Sequence, residues 1–348
     1  MLTVNLRQAA ELVEKAIDAD VPSILTGIPG IGKTSVFRQI AKKRNIACKV
    51  EDATSLDPVD ARGVIVPNLE TGDSFFTRPA IFPDKEDGKE GILVLDEICG
   101  CLPATQKALQ TVLLERRSGK HRLPEKWVPV GTGNGAGDGA GAFSLLSSLE
   151  DRAMILNVVP DFDVWKNDFA YPNDIDHRII SFLNFREELF STFGKRDKKA
   201  QGKSHASARS WERLSKLLKA GLKGDLLLPG AAGCVGGGPA TEFIAHMAVH
   251  EHLPDIKKIY RRQYNEVPSS DKPDVLYALA GALVSFLGRL PEDLPKMMAI
   301  ERFIEYAMKL PSEFCILAIQ DSIPLHKEHI LRSKGYGAFA RKFQALVL

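Results

Sequence analysis

The 348-residue sequence is poor in several features that would fix its class at once. Its five cysteines are Cys48, Cys99, Cys101, Cys234 and Cys315, and only Cys99 and Cys101 are close. That is too sparse for a disulfide framework, and a single C-x-C pair is poor evidence for a metal site, so reduced structural thiols in a cytoplasmic protein are expected. An excess of one charge is also missing: 46 Lys and Arg against 44 Asp and Glu leave a net charge of +2. Such a balance argues against an electrostatic nucleic-acid binder. No stretch approaches the roughly 18 apolar residues of a membrane span. Met1 to Ala10 has no apolar core of a signal peptide, so secretion is not expected. What is there is globular in composition, 44% apolar and 26% charged, in a chain of one large or two to three smaller domains.

The first half alternates short apolar runs with helical patterns. Ser23 to Thr26, Ile46 to Val50, Ile92 to Leu95, Trp127 to Gly131 and Ala153 to Val159 read as strands. Ile92-Leu93-Val94-Leu95 is apolar throughout, as in a parallel strand covered on both faces. Between strands, Lys33 to Lys43 carries Val36, Phe37, Ile40 and Ala41 at helical spacing, and Pro103 to Arg117 carries Leu109, Val112 and Leu113. Strands separated by helices predict a parallel sheet in a three-layer α/β/α core. One region breaks the rhythm: Gly63 to Pro67 and Phe75 to Thr77 flank a Gly-containing turn at Asn68 to Asp73, a β-hairpin inserted in the core. After Asp161 the pattern becomes helical, with helices at Ala278 to Leu287 and Ile300 to Leu310. Lys195 to Lys203 reads as a basic, solvated loop, and Gly230 to Gly238 as a glycine-rich loop between helices.

Gly27-Ile28-Pro29-Gly30-Ile31-Gly32-Lys33-Thr34, followed by Ser35, matches the phosphate-loop pattern G-x-x-x-x-G-K-[ST]. Glycines let the backbone curl so that successive N–H groups face an anion, and the helix that follows turns its N-terminus to the same charge. Lys33 supplies a cation for the β- and γ-phosphates, and Thr34 a hydroxyl for Mg²⁺, which prefers oxygen. The strand at Ile92 ends in Asp96 and Glu97, where open α/β sheets collect ligands. Asp96 is placed to hold the Mg²⁺ shell through water, and Glu97 to polarise a water for attack on the γ-phosphate. The same two carboxylates would also suit a solvated turn, but the phosphate loop upstream favours the chemical reading. No Asn-Lys-x-Asp guanine reader and no LSGGQ segment occurs, and Asp60-Ala-Arg-Gly63 follows no apolar strand. ATP hydrolysis is therefore preferred to GTP switching, transport or phosphoryl transfer to a metabolite.

Three further residues are candidates. Asn134 ends the next strand and can bond both the attacking water and the γ-phosphate, or merely serve a glycine-rich turn. Arg152, in LLSSLEDR before the last strand, sits at the domain edge. There it can reach the nucleotide of a neighbouring subunit or pair with Glu150 or Asp151. Arg209 opens a helix at Ala208-Arg209-Ser210-Trp211, as a γ-phosphate sensor or a surface arginine. Arg116 and Arg117 end the helix after the acidic pair, where complementing its C-terminus is expected ahead of a role in trans.

In this order the parts resemble the AAA+ ATPases, P-loop NTPases, and within them the MoxR-like group, over about residues 1–250. Asp57-Pro-Val-Asp60-Ala-Arg-Gly63 through Phe82-Pro83 looks like that group's hairpin inserted in the second core helix. Ser207-Ala208-Arg209-Ser-Trp211-Glu212 looks like its second sensor, with Ala208 where Pro is usual; Gly135 follows Asn134 where relatives often have a basic residue. The resemblance implies an α/β nucleotide-binding domain at 1–162 with an insert at about 63–83, an α-helical lid at 163–254 and a C-terminal helical extension at 255–348. It implies ATP and Mg²⁺ at the junctions of a ring, usually a hexamer. Lys33, Thr34, Asp96, Glu97 and Asn134 would act in cis and Arg152 in trans, with Arg209 in either. The protein would be a chaperone-like remodeller of a partner, often one with a von Willebrand factor A domain. A DNA-directed ring motor and a nucleotide-gated scaffold are the other classes. The hairpin's Glu70 and Asp73, with Arg78 the one nearby base, count against the motor, and Glu97 counts against the scaffold.

Overall fold

Apolar strands that alternate between two covered faces set the architecture. The computed structural model describes residues 2–134, 147–194, 204–250 and 252–344. The turn after Asn134, Leu145 and the basic segment 195–203 lie outside them. The chain forms two compact units, Met1–Asp161 and Phe162–Leu348.

The first unit contains, in order, β1 (Thr3–Val4), α1 (Leu6–Asp18), β2 (Ser23–Thr26), α2 (Lys33–Arg44), β3 (Ala47–Asp52), α3 (Pro58–Arg62), β4 (Ile65–Pro67) and β5 (Ser74–Phe76). These are followed by β6 (Gly91–Asp96), α4 (Pro103–Glu115), β7 (Arg117–Ser118), β8 (His121–Arg122), β9 (Trp127–Gly133), α5 (Ser147–Glu150) and β10 (Met154–Val158). Six strands make one sheet in the order β1-β10-β2-β9-β6-β3, parallel at every pairing. Leu25, Ile92, Val94 and Val130 pack against Ala9 and Val13 of α1 and Val36, Phe37 and Ile40 of α2. Their neighbours Ile24, Leu93, Leu95 and Trp127 pack on the other face against Ala61 of α3 and Leu109, Val112 and Leu113 of α4. The expected three-layer α/β/α core is thus present, a P-loop fold with strand ends within a residue or two of those read from the sequence. The expected hairpin is β4–β5, paired antiparallel from Ile65↔Phe76 to Pro67↔Ser74. A second small hairpin, β7–β8, was not anticipated. Its His121 Nε2 lies 2.8 Å from the carbonyl oxygen of Phe76.

The second unit is helical: α6 (Phe162–Trp165) running into a π-helical turn at Lys166–Ala170, α7 (His177–Phe185), α8 (Ala208–Lys219), α9 (Leu227–Val235), α10 (Gly237–His250), α11 (Ile256–Tyr260), α12 (Pro273–Gly288), α13 (Lys296–Ala307), α14 (Ser312–Arg332) and α15 (Lys334–Lys342). Two hydrophobic clusters form within it, one around Trp165, Phe182, Trp211 and Phe243, the other around Tyr260, Leu283, Phe303 and Ile319. The expected loop at Gly230 to Gly238 is a correction. That stretch is the end of α9 and the start of α10, broken only at Gly236 (φ +90°). Ala231, Val235 and Ala240 are buried there. Their packing outweighs the helix penalty of glycine, about 1 kcal/mol per residue.

Candidate phosphate site at the sheet edge

The C-terminal edge of β2, β6 and β9 gathers most of the predicted site. After β2 the chain turns through Gly27, Gly30 and Gly32, each at positive φ. A Cβ on Gly27 would stand 2.3 Å from the Val158 carbonyl oxygen, so this turn excludes any side chain. Helix α2 then begins with no side-chain cap and no acidic residue in its first turn. Its positive end is left to an anion. Lys33 is buried, and its ammonium donates to the carbonyls of Gly27 (2.7 Å) and Ile28 (3.1 Å) and to Asn134 Oδ1 (3.1 Å). Ile28, Pro29 and Gly30 are half-buried, Ile31 is buried in the α2 side of the core, and Ser35 is exposed.

From Lys33 a chain of hydrogen bonds crosses the edge. Asn134 Nδ2 donates to Glu97 Oε2 at 2.7 Å. The Glu97 backbone N–H donates to Thr132 Oγ1 at 3.0 Å. Thr132 Oγ1 in turn donates to Asp96 Oδ1, which also accepts from Thr34 Oγ1 at 2.8 Å. Lys33, Thr34, Asp96, Glu97 and Asn134, chosen from sequence for their chemistry, therefore form one connected group. Glu97 sits at φ +57°, in the left-handed region. For a non-glycine residue this costs about 1–2 kcal/mol and is a frequent mark of functional positions.

Two members of the group were missed by sequence reasoning. One is Thr132, whose signal was its two-residue spacing from Asn134, which puts both on one strand face. The other is Cys99, buried in the turn that follows Glu97. The Asn134 backbone N–H is directed at its thiol. Burial first, and then the Glu97 carboxylate, pushes that thiol up to about 11. The turn fits tightly because β9 offers glycine beneath it. Cβ atoms on Gly131 and Gly133 would stand 2.4 Å from Ile98 Cδ1 and 2.4 Å from Cys99 Sγ.

Mg²⁺ suits this donor set. Thr34 and Asp96 supply two hard oxygens from side chains already in contact. No group of three or more His, Cys, Asp or Glu side chains able to hold a metal exists among the described residues. Mg²⁺ takes one or two protein oxygens and completes its shell with phosphate and water.

The arginines are placed differently. Arg152 is exposed in the turn between α5 and β10, with no ion pair to Glu150 or Asp151. It enters β10 from the N-terminal edge of the sheet, opposite the phosphate loop. Met154 pairs with Ser23 and Asn157 with Thr26, so the strand length separates Arg152 from the loop of its own chain by roughly 15–20 Å. Arg116 is paired with Asp20, and Arg117 with Glu115 at 2.6 Å. Arg209 is exposed at the second residue of α8, where Ser207 and Ser210 form the cap.

No protein-family model matches the chain, and no curated protein matches it in sequence. Among solved structures it is similar to a "putative ATPase" from Cytophaga hutchinsonii (14% identity, TM-score 0.38, covering 92% of this chain and 90% of that one). It is similar also to a RuvB mutant of Thermotoga maritima (17% identity, TM-score 0.39, 85% and 86% covered). The Thermotoga maritima RuvB Holliday junction branch migration motor is a third (13% identity, TM-score 0.33, 94% and 85% covered). Likenesses this distant say nothing of the site, whose reading rests on its own geometry. Among the described residues no helix is long and apolar enough to cross a membrane.

Proposed function

We propose that the chain is an AAA+ ATPase of the MoxR-like kind that binds ATP with Mg²⁺ and hydrolyses it to ADP and phosphate in a homo-oligomeric ring. The observation that carries this is the unbroken hydrogen-bond chain Lys33–Asn134–Glu97–Thr132–Asp96–Thr34 at the mouth of a phosphate loop. Gly27 to Ser35 would wrap the phosphates with backbone N–H groups and Lys33. Thr34 and Asp96 would hold Mg²⁺, which when bound neutralises charge on the phosphate oxygens. Glu97 would accept a proton from the attacking water, and Asn134 would hold that carboxylate and the water in line. The exposure of Arg152, and its distance from its own loop, support a role at a neighbouring subunit's nucleotide. Arg209 would read nucleotide state from the helical unit.

A protein client is favoured over nucleic acid by the inserted hairpin. Val64, Ile65, Leu69, Phe75 and Phe76 are exposed there, Leu69 at 93%, and the turn carries Glu70 and Asp73. Phosphate backbones call for the opposite surface.

The test is Glu97→Gln in the full chain. Steady-state hydrolysis should fall at least about 100-fold while ATP affinity stays within about threefold. Wild-type turnover per subunit should also fall on dilution as subunits separate. Hydrolysis by Glu97→Gln at the wild-type rate would remove the assignment.

A further inference from the structure

Position 132 is unusual for its surroundings. It is fully buried in a central strand, paired in register with Leu25 and next to Val130, which faces Val94. Valine has the same shape as threonine and suits a strand equally well. A hydroxyl at such a place costs free energy unless both its donor and its acceptor capacity are used. Here both are. The proton goes to Asp96 Oδ1, and a lone pair faces the Glu97 N–H. Because donation to a carboxylate polarises the hydroxyl oxygen, its bond to the Glu97 N–H is strengthened. That N–H belongs to the residue held at φ +57°.

We infer that Thr132 is a positioning residue of the hydrolytic step: its hydroxyl fixes the backbone of Glu97 in the left-handed turn that aims the carboxylate at Asn134, and ties it to the Asp96 oxygen that Thr34 shares. This rests on the ATPase reading above. Without the hydroxyl, Glu97 is free to relax toward ordinary φ and swing its carboxylate out of line. Thr132 makes no direct bond to the phosphate loop: it bonds to the acidic pair and reaches Thr34 only through Asp96, while Lys33 bonds to the loop carbonyls and Asn134. The loss therefore falls on turnover and spares nucleotide affinity.

The experiment compares wild type, Thr132→Val, Thr132→Ala, Thr132→Ser and Glu97→Gln as full-length proteins. It measures kcat at saturating Mg²⁺ and ATP, affinity for a fluorescent ATP analogue, and thermal unfolding. Thr132→Val should lower kcat at least tenfold, with affinity within threefold of wild type and a cooperative melt. Thr132→Ala does the same if valine disturbs folding. Thr132→Ser, which keeps the hydroxyl, should stay within threefold in kcat. A Thr132→Val enzyme with wild-type kcat beside an inactive Glu97→Gln would overturn the inference and leave the ATPase reading standing. So would serine failing as badly as valine, or affinity falling in step with kcat. An active Glu97→Gln would remove both.

Discussion

The two units place polar groups in opposite ways. In the α/β unit the polar side chains of the site, the buried Lys33 and Thr132 among them, gather at the rim where strands end, and the hydrophobic layers beneath cover both faces of the sheet. In the helical unit they are sunk inside. Lys166 (5% exposed) pairs with Asp321 (3% exposed) at 3.0 Å, Asn184 bonds to both, and the hydroxyl of the half-buried Tyr171 is directed at Asp321 as well. The rim arrangement can open to a ligand without exposing core. The interior one can only be kept or broken. Damage at the rim should therefore appear as lost chemistry, and damage in the helical interior as lost stability.

The sharpest way to break that contrast is Asp321→Ala. It leaves the buried Lys166 ammonium with the exposed Asp163 carboxylate, at 3.1 Å, as its remaining ion-pair partner, and removing one member of a buried pair costs up to about 3–5 kcal/mol. Trp165 and Trp211 lie in the helical unit and Trp127 in the other. In a Trp127→Phe background, denaturant unfolding followed by tryptophan fluorescence reports the helical unit by itself. The unfolding free energy should fall by that amount and the midpoint with it. Replacing both partners, with Lys166→Met and Asp321→Leu, should recover much of it, because desolvating a pair offsets its attraction. An unchanged midpoint for the single variant would erase the contrast.

These two sites also differ in how readable they were. The phosphate loop is contiguous, and its glycines, Lys33 and Thr34 declare themselves in eight residues. Asp96 and Glu97 follow from an apolar strand that stops at two carboxylates. Arg152 and Asn134 could be ordered along the chain, but Arg152 needed the sheet register to show which edge it occupies. The capped, amphipathic α1, with Asn5 and Gln8 as its capping box and Ala9, Val13 and Ala16 buried, has a local signal that went unread. The interior of the helical unit has no such signal. Asn184 and Asp321 are 137 positions apart, and nothing local to either says they meet. At Gly230 to Gly238 the local signal misled: Gly230 and Gly236 stand at close approaches, a Cβ on Gly230 meeting Leu222 at 2.8 Å, while Gly233, Gly237 and Gly238 are tolerated in helix by the packing of their neighbours.

Gly133→Ala tests the rim from beneath. The new methyl would stand 2.4 Å from Cys99 Sγ, in a turn also shored by Gln106 bonding to the Ile98 carbonyl at 3.2 Å. Overpacking of this kind costs about 1–3 kcal/mol. Much of the strain should emerge as displacement of Glu97 and Asn134, so turnover should fall severalfold more than stability predicts. Adding Cys99→Ala removes the sulfur and should restore part of the activity. If the double variant is no better than Gly133→Ala alone, the close packing of the turn on β9 is not what holds the site.

The smallest effect expected is a pH dependence confined to the helical unit. His246 on α10 is buried, its Nε2 lies 3.1 Å from Ser181 Oγ, and its Nδ1 has no hydrogen-bond partner. Burial drops its pKa from 6.5 to about 4, with the Asp274 carboxylate opposing. Neighbouring His250 is lowered to about 3, chiefly by burial and then by His246 and His177. The folded state therefore resists protonation that the unfolded chain accepts near pH 6.5. Stability is full above that pH and falls as pH drops from about 6.5 toward 4. Between pH 7 and pH 5, His246 alone should remove about 1–2 kcal/mol from the helical unit. His246→Gln, which titrates nowhere in this range, should reduce but not abolish the dependence read by Trp165 and Trp211, because burial holds His250 and His177 below their ordinary values too. The Trp127 signal, from a unit whose core holds no histidine among the described residues, should move far less over the same interval. Equal slopes from the two sets of tryptophans would mean that the imidazoles are not the source, and that the units do not differ in this respect.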